Sequence, residues 1–283
     1  MNSPRPVEDR AVTSDALETR VDAFYDGRFH LVQPARKGYR SGLDALLLAA
    51  TVGKAAMGRL ADIGAGAGAV GFAAAVRAPS LSVTLIENQR EMVGCARAGL
   101  ALPGNAPIRD RIAIVETDIL GSRALREASG LRDGSFDRVV TNPPFYSPDL
   151  RPSPDPLRRA ALNLPNEEAL NDWFRSSLAL LKDGGRFSAI LPPSVLPICL
   201  PVLSGQLGAL AITPIHARAD DPAIRIVVTG RKRMRSPLSF LTLCHLFDAS
   251  GACSPFSASV SKGEIEFGWA IPGGRKGQGS PDG

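Results

Sequence analysis

The sequence predicts an α/β fold with one doubly wound sheet, mostly parallel, with an antiparallel last strand. Three observations predict it. Short apolar runs rich in β-branched residues alternate with longer runs of helical period along most of the chain. One of them, Leu60-Ala61-Asp62-Ile63, runs straight into Gly64, Gly66 and Gly68 and then into an alanine-rich helix. That is the strand–loop–helix unit on which such sheets bind nucleotides. Late in the chain, two apolar runs flank Asp220-Asp221-Pro222, a turn that reverses the last two core strands.

The elements follow in order. Residues 1–24 carry charges and prolines but no apolar core segment, so they read as a flexible leader and not as a secretory signal. A short strand covers 29–32. Ser41 opens a helix over 41–52, with Asp44 three residues on as its capping-box partner. Residues 59–63 form the first core strand, and a helix over 69–76 stops before Pro79. Strand 82–86 ends at Glu87 and is followed by a helix over 90–100. Residues 112–115 and 136–140 are the third and fourth strands, and the fourth delivers Asn142. Pro148 to Pro165 breaks the rhythm with a long loop rich in proline and arginine, suited to a lid or a substrate-ordering segment. Asn166 caps a helix reaching 181, with Trp173 and Phe174 turned inward. Strand 186–191, a proline-interrupted helix over 192–207, strands 211–217 and 224–229, and an extra strand over 238–246 complete a domain spanning 25–270. The glycine-rich residues 271–283 read as a disordered tail.

Composition sets outer bounds. At 44% hydrophobic the chain can bury a sizeable core. A net charge of +5 permits a polyanionic partner without demanding one. Clustering says more: Arg231-Lys232-Arg233 with Arg235 is one basic run, and Arg36-Lys37 with Arg40 is another. The four cysteines show no CxxC spacing, which argues against a zinc site or a disulfide framework and fits reduced thiols in a cytoplasmic protein. No apolar run is long enough to span a membrane.

The candidate site lies where strands end. Asn142-Pro143-Pro144-Phe145 presents an amide oxygen, a backbone carbonyl on a stiff proline turn, and an aromatic ring. Two close acceptors suit a planar NH2 group, and the ring suits a flat base or amide lying against it. The same tetrapeptide also reads as a plain strand-to-loop turn. Gly66-Ala67-Gly68-Ala69-Val70-Gly71 satisfies the dinucleotide fingerprint G-x-G-x-x-G, so the glycine loop alone leaves the cofactor open. Glu87, about twenty residues on, can accept from ribose hydroxyls in either cofactor class. Asp62 separates them. Its charge beside the ligand favours a sulfonium cation such as S-adenosylmethionine and is awkward for the pyrophosphate of NAD. Asp118 either accepts from an adenine amino group or starts a turn.

These residues resemble a family. Asp62-Ile63-Gly64-Ala65-Gly66, Glu87, Asp118 and Asn142-Pro143-Pro144-Phe145 stand in the order and spacing of class I S-adenosylmethionine-dependent methyltransferases that act on amino groups. More narrowly the chain resembles the bacterial adenine-N6 methyltransferases of valine tRNA. The closer likeness lies in Gln33 through Lys37-Gly38-Tyr39-Arg40-Ser41-Gly42-Leu43-Asp44-Ala45-Leu46-Leu47-Leu48, in Arg158-Arg159-Ala160, and in residues 225–229 with the basic tail behind them. The resemblance implies a Rossmann-like methyltransferase sheet and S-adenosyl-L-methionine as cofactor, with no metal. It also implies tRNA as partner, through its anticodon loop. Asn142, Pro143, Pro144 and Phe145 would be the catalytic set. Asp44, Asp62, Gly64, Gly66, Gly68, Glu87, Asp118 and Asn142 would hold the cofactor. Arg40, Arg158, Arg159, Arg231, Lys232 and Arg233 would meet the RNA.

Other readings remain at this level. A methyltransferase of protein glutamine amides uses the same two-acceptor chemistry, and so does a guanine-amino methyltransferase of ribosomal RNA. A dehydrogenase reading of residues 66–71 leaves Asn142 unexplained and finds no placed histidine among His30, His216 and His245. A non-catalytic RNA-binding module would keep the fold but has no use for the intact acidic and Asn-Pro-Pro-Phe positions.

Overall fold

The computed structural model describes residues 17–35, 42–145 and 164–269. The chain opens with a hairpin of β1 (Thr19–Phe24) and β2 (Phe29–Pro34), in register from Thr19 opposite Pro34 to Phe24 opposite Phe29. β1 lies inside the stretch read as leader, which is corrected here. Its side chains are largely exposed, so no buried alternation marks it in the sequence. Asp26-Gly27 in the intervening turn, with φ of 54° and 82°, is the signal that could have found it.

α1 (Leu43–Ala49) follows, then the repeating unit: β3 (Gly58–Ile63), α2 (Ala69–Arg77), β4 (Leu81–Glu87), α3 (Arg90–Ala101), a short α4 (Ala106–Arg109) and β5 (Ile112–Glu116). α5 (Arg123–Ala128) precedes β6 (Phe136–Thr141). α6 (Glu167–Leu180) then leads into β7 (Leu181–Leu191). Asn166 caps α6 as read, its side chain accepting from the Ala169 N–H at 2.8 Å. α7 (Leu196–Gln206) carries Pro201 inside it, and β8 (Leu207–His216) and β9 (Ala223–Lys232) form the expected hairpin. The extra strand is shorter than read. It becomes two pairs of residues, β10 (Ser239–Phe240) and β11 (Cys244–His245), both parallel to β8. α8 (Pro255–Lys262) was not anticipated, although Ser254 before Pro255 and Gly263 after Lys262 are ordinary start and stop signals.

The large sheet runs β10-β8-β9-β7-β6-β3-β4-β5, with β11 also on β8. β5, β4, β3, β6 and β7 are mutually parallel, and β9 alone is reversed, lying between β7 and β8. Both faces are covered, as parallel strands require. Leu60, Val83, Leu85, Val140, Ile190 and Val227 pack under α1 and α2. Ile63, Val139, Phe187, Leu191 and Val228 pack under α6 and α7. All four cysteines are free, with Cys95 and Cys199 buried. Among the described residues, no helix is long and apolar enough to cross a membrane, and no cluster is placed to hold a metal ion.

Candidate active site

The sheet order changes direction at β3, between β4 and β6. That is where ligands gather in open α/β sheets, outside the carboxyl ends of the strands. A cavity of about 310 Å³ lies there. β3 and the loop after it give Asp62, Gly64 and Gly66. β4 gives Glu87, and the turn after β5 gives Asp118. Asn142, Pro143, Pro144 and Phe145 follow β6 directly and line the same cavity as the glycine loop.

The loop is fixed from several sides. The N–H groups of Gly64 and Ala65 both donate to the Ile86 carbonyl, at 2.9 and 3.0 Å. Gly64 has φ of 69°, and a Cβ there would come 2.9 Å from Cζ2 of Trp173. Trp173 itself is pinned. Its Nε1–H donates to Thr141 Oγ1 at 3.0 Å, and that hydroxyl donates to the Ile63 carbonyl at 3.0 Å. The Thr141 hydroxyl therefore links the indole, β6 and β3 behind the loop.

The acids are held as carefully. Glu87 Oε2 accepts from the Gly66 N–H at 2.8 Å, while Oε1 accepts from Asn88 and Gln89 N–H at 3.0 and 2.7 Å. Burial pushes the Glu87 carboxyl above its ordinary range, against those three N–H groups. Asp62 Oδ2 accepts from the Gly71 N–H at 2.8 Å, and burial raises its pKa to about 7. Gly71 lets α2 come close: a Cβ there would meet Leu85 at 2.2 Å.

Asp44 is in the cavity wall but does not cap α1. Gly42 is the N-cap and no side chain bonds there. Asp44 Oδ2 instead accepts from Arg225 Nε at 2.9 Å, joining α1 to the start of β9. Asp118, an exposed residue, starts a turn through Oδ1, which accepts from Leu120 N–H at 2.9 Å, and it also faces the cavity. Gly68 is the exception among the cofactor candidates. It is not in the cavity wall; at φ of 91° it is the N-cap of α2, and a Cβ there would strike Leu85 and Phe72 at 2.8 Å. Its role is to turn the chain into the helix.

Arg231, Lys232 and Arg233 do not line the cavity. β9 runs against β7, with Ile226 opposite Leu191 and Arg231 opposite Arg186. The basic end of β9 therefore lies at the amino end of β7, about 17 Å along the strand from the cavity side. Lys232 Nζ donates to the Leu178 and Leu181 carbonyls at 2.6 and 2.8 Å, closing the end of α6, and Arg233 pairs with Asp183 at 3.3 Å. Arg40, Arg158 and Arg159 lie outside the described residues, as do the basic cluster 36–40 and most of the loop 148–165. Of the charged and aromatic cavity residues, two escaped the sequence reading. Arg225 was noted only as strand, and Trp173 only as core.

Among the described residues the wall carries four carboxylates, Asp44, Asp62, Glu87 and Asp118, against one guanidinium, Arg225. Such a lining attracts a cationic ligand and repels a pyrophosphate. None of the three histidines lines it.

Comparison with known proteins agrees with this chemistry. The methyltransferase small domain model matches residues 40–151. The tRNA1(Val) (adenine(37)-N6)-methyltransferase of Porphyromonas gingivalis is 35% identical over 179 residues, which cover 61% of this chain and 66% of that protein. The chain thus spans just under two thirds of that relative. The ribosomal RNA small subunit methyltransferase C of Shigella flexneri is 32% identical over 109 residues, 38% of this chain and 28% of that protein. Among solved structures, a predicted O-methyltransferase from Agrobacterium tumefaciens superposes with a TM-score of 0.69 at 32% identity, covering 81% of this chain and all of that one.

Proposed function

Because the chain belongs to the class I S-adenosylmethionine-dependent methyltransferases, we propose that it methylates the exocyclic amino group of adenine in the anticodon loop of valine tRNA. One observation carries this reading: Asn142, Pro143, Pro144 and Phe145 share one cavity with the glycine loop and its carboxylates. The name of the Porphyromonas relative supports the adenine and the tRNA.

The residues fit the cofactor. Glu87, with Oε2 bonded to the loop, presents its carboxylate to ribose hydroxyls. Asp62 and the acidic wall suit a sulfonium and an ammonium, and Arg225, paired with Asp44, is the cation that lines the cavity among the described residues. When bound, S-adenosylmethionine supplies an electrophilic methyl carbon. The protein's task is to make a poor nucleophile react, since the amine lone pair of adenine is delocalised into the ring. The Asn142 side-chain oxygen and the Pro143 carbonyl each accept one N–H. That draws the nitrogen toward tetrahedral geometry and frees the lone pair. Phe145 lies against the base and fixes its plane. Alignment of this kind can contribute up to about 7–11 kcal/mol. No strong general base is required, because the nitrogen becomes acidic once it is cationic. An anticodon-loop base is largely unpaired, so presenting it costs less than flipping one from a duplex. A tRNA substrate implies a cytoplasmic enzyme.

The test is incubation with labelled cofactor and total tRNA from a deletion strain, followed by nucleoside mass spectrometry. Methyladenine in valine tRNA is expected. Methyl on guanine, or on glutamine when protein is supplied, overturns the substrate assignment.

A further inference from the structure

The large sheet carries three arginines directly opposite one another. Arg138 on β6 is in register with Arg186 on β7, and Arg186 with Arg231 on β9. A register shift between Phe136 and Arg138 sets up this row: Phe136 and Val139 stay in the layer under α6, while Arg138 follows Val140 onto the other face. Adjacent strands lie about 4.8 Å apart, so the row spans roughly 10 Å.

Like charges facing each other across strands are destabilising, and natural sheets place opposite charges there. Here the compensation is thin. Among the described residues, none of the three guanidinium groups makes a salt bridge, and Arg138 Nε is buried without a hydrogen-bond partner. The carboxylates acting on the row are Glu266, which is exposed, and Asp137, which is engaged by Lys182 Nζ at 2.6 Å and the Arg59 N–H at 2.8 Å. The Arg186 guanidinium lies over the Trp269 ring, 4.8 Å from its centroid. Burial first and then the Arg186 charge hold the Arg138 pKa down, and burial first and then the Arg231 charge hold that of Arg186 down. A row that repels itself is held ready for an anion.

We propose that Arg138, Arg186 and Arg231 form a phosphate-binding row that grips the sugar-phosphate backbone of the RNA substrate, at the end of the sheet opposite the cavity. The choice of RNA rests on the reading of the cavity above; the anionic chemistry does not. Guanidinium is the side chain best matched to phosphate oxygens, through paired N–H donors. A row of about 10 Å meets two or three successive phosphates of a strand, where a compact anion would engage one or two arginines. Contacts of this kind position the RNA and carry no base specificity. Arg233, paired with Asp183, and Arg235 line a separate hollow with Gln206 and Leu207 at the end of α7.

The experiment uses the full chain and a valine tRNA transcript, with binding measured by fluorescence anisotropy from about 50 to 200 mM salt. Arg186→Gln and Arg231→Gln should each weaken binding about three- to tenfold and lower the slope of log affinity against log salt by about one. Both variants should melt at or above the wild-type temperature, since repulsion is relieved, and should bind S-adenosylmethionine as the wild type does. An unchanged salt slope overturns the proposal, as does a fall in melting temperature accompanied by lost cofactor binding. Inorganic pyrophosphate provides the second arm. Thermal protection of the wild type that Arg186→Gln abolishes, with the RNA slope unaltered, would make free phosphate the ligand and reject RNA. Because binding and methylation are read separately, the two readings fail separately. Row-dependent binding without methyladenine sinks only the acceptor assignment, and methyladenine with an unaltered slope sinks only the row.

Discussion

Asp62 ionises at about 7 in the folded protein against 3.8 in an exposed chain, with burial as the first cause and the Gly71 N–H opposing it. Between those values the folded chain holds a proton that the unfolded chain has released. Stability of the cofactor-free protein therefore falls as pH rises from about 4 to about 7, and stays lower above that. Replacing the carboxyl by an amide should remove this loss, worth up to about 4 kcal/mol. Asp62→Asn is expected to melt higher than the wild type at pH 8 and nearly equally at pH 4, while binding S-adenosylmethionine at least about tenfold more weakly. Melting curves across pH with equilibrium dialysis check this; a melting difference that ignores pH would show that the charge is not the cause. Asn142 makes the opposite separation. Asn142→Ala should lower kcat by about 10²–10³-fold, as loss of one aligned polar contact does, and leave cofactor Kd within about threefold. Equal loss of both in single-turnover assays and dialysis would assign Asn142 to cofactor binding alone.

The glycine loop and α6 act as one unit. Gly64 sits at φ of 69° with the Trp173 ring where a side chain would go. Gly64→Ala should cost about 2–3 kcal/mol, from left-handed backbone strain and overpacking together. It should also weaken cofactor binding, because the loop must retreat from the indole. Denaturant unfolding with cofactor titration measures both, and a loss under about 0.5 kcal/mol would mean the ring simply moves aside. At this scale the sequence was most readable where the chemistry is local. Strand, glycines and helix are contiguous from Leu60 to Arg77, and Asn142 to Phe145 follow their strand directly. It was least readable where one side chain has two candidate partners. Asp44 has the spacing of a capping box, yet its partner is Arg225, 181 residues away. Trp173 reads as a core residue from helical period, and period says nothing of the glycine against its far edge. The helix over 255–262 had its cap residues in plain view; what hid it was the lack of a strongly apolar face.

At the level of the whole molecule, the reversed β9 decides which residues can share a site. It carries Arg225 into the cavity and takes Arg231 to the far end of the sheet, so a run of basic residues that looks continuous on paper is divided among separate tasks. Lys232 closes a helix, Arg233 meets Asp183, and Arg231 joins arginines some 45 and 93 residues before it. No linear pattern announces such a row, because register across three strands creates it.

The chain has two tryptophans. Trp173 lines the cavity and Trp269 stacks on Arg186. Intrinsic emission thus carries one reporter per proposed site, without any added label. In Trp269→Phe the remaining signal should respond to S-adenosylmethionine and stay silent to pyrophosphate; in Trp173→Phe the pattern should invert. Stopped-flow traces of the two variants would then order the arrival of cofactor and RNA in time, and a signal that fails to divide this way would mean the two ends of the sheet are not optically independent.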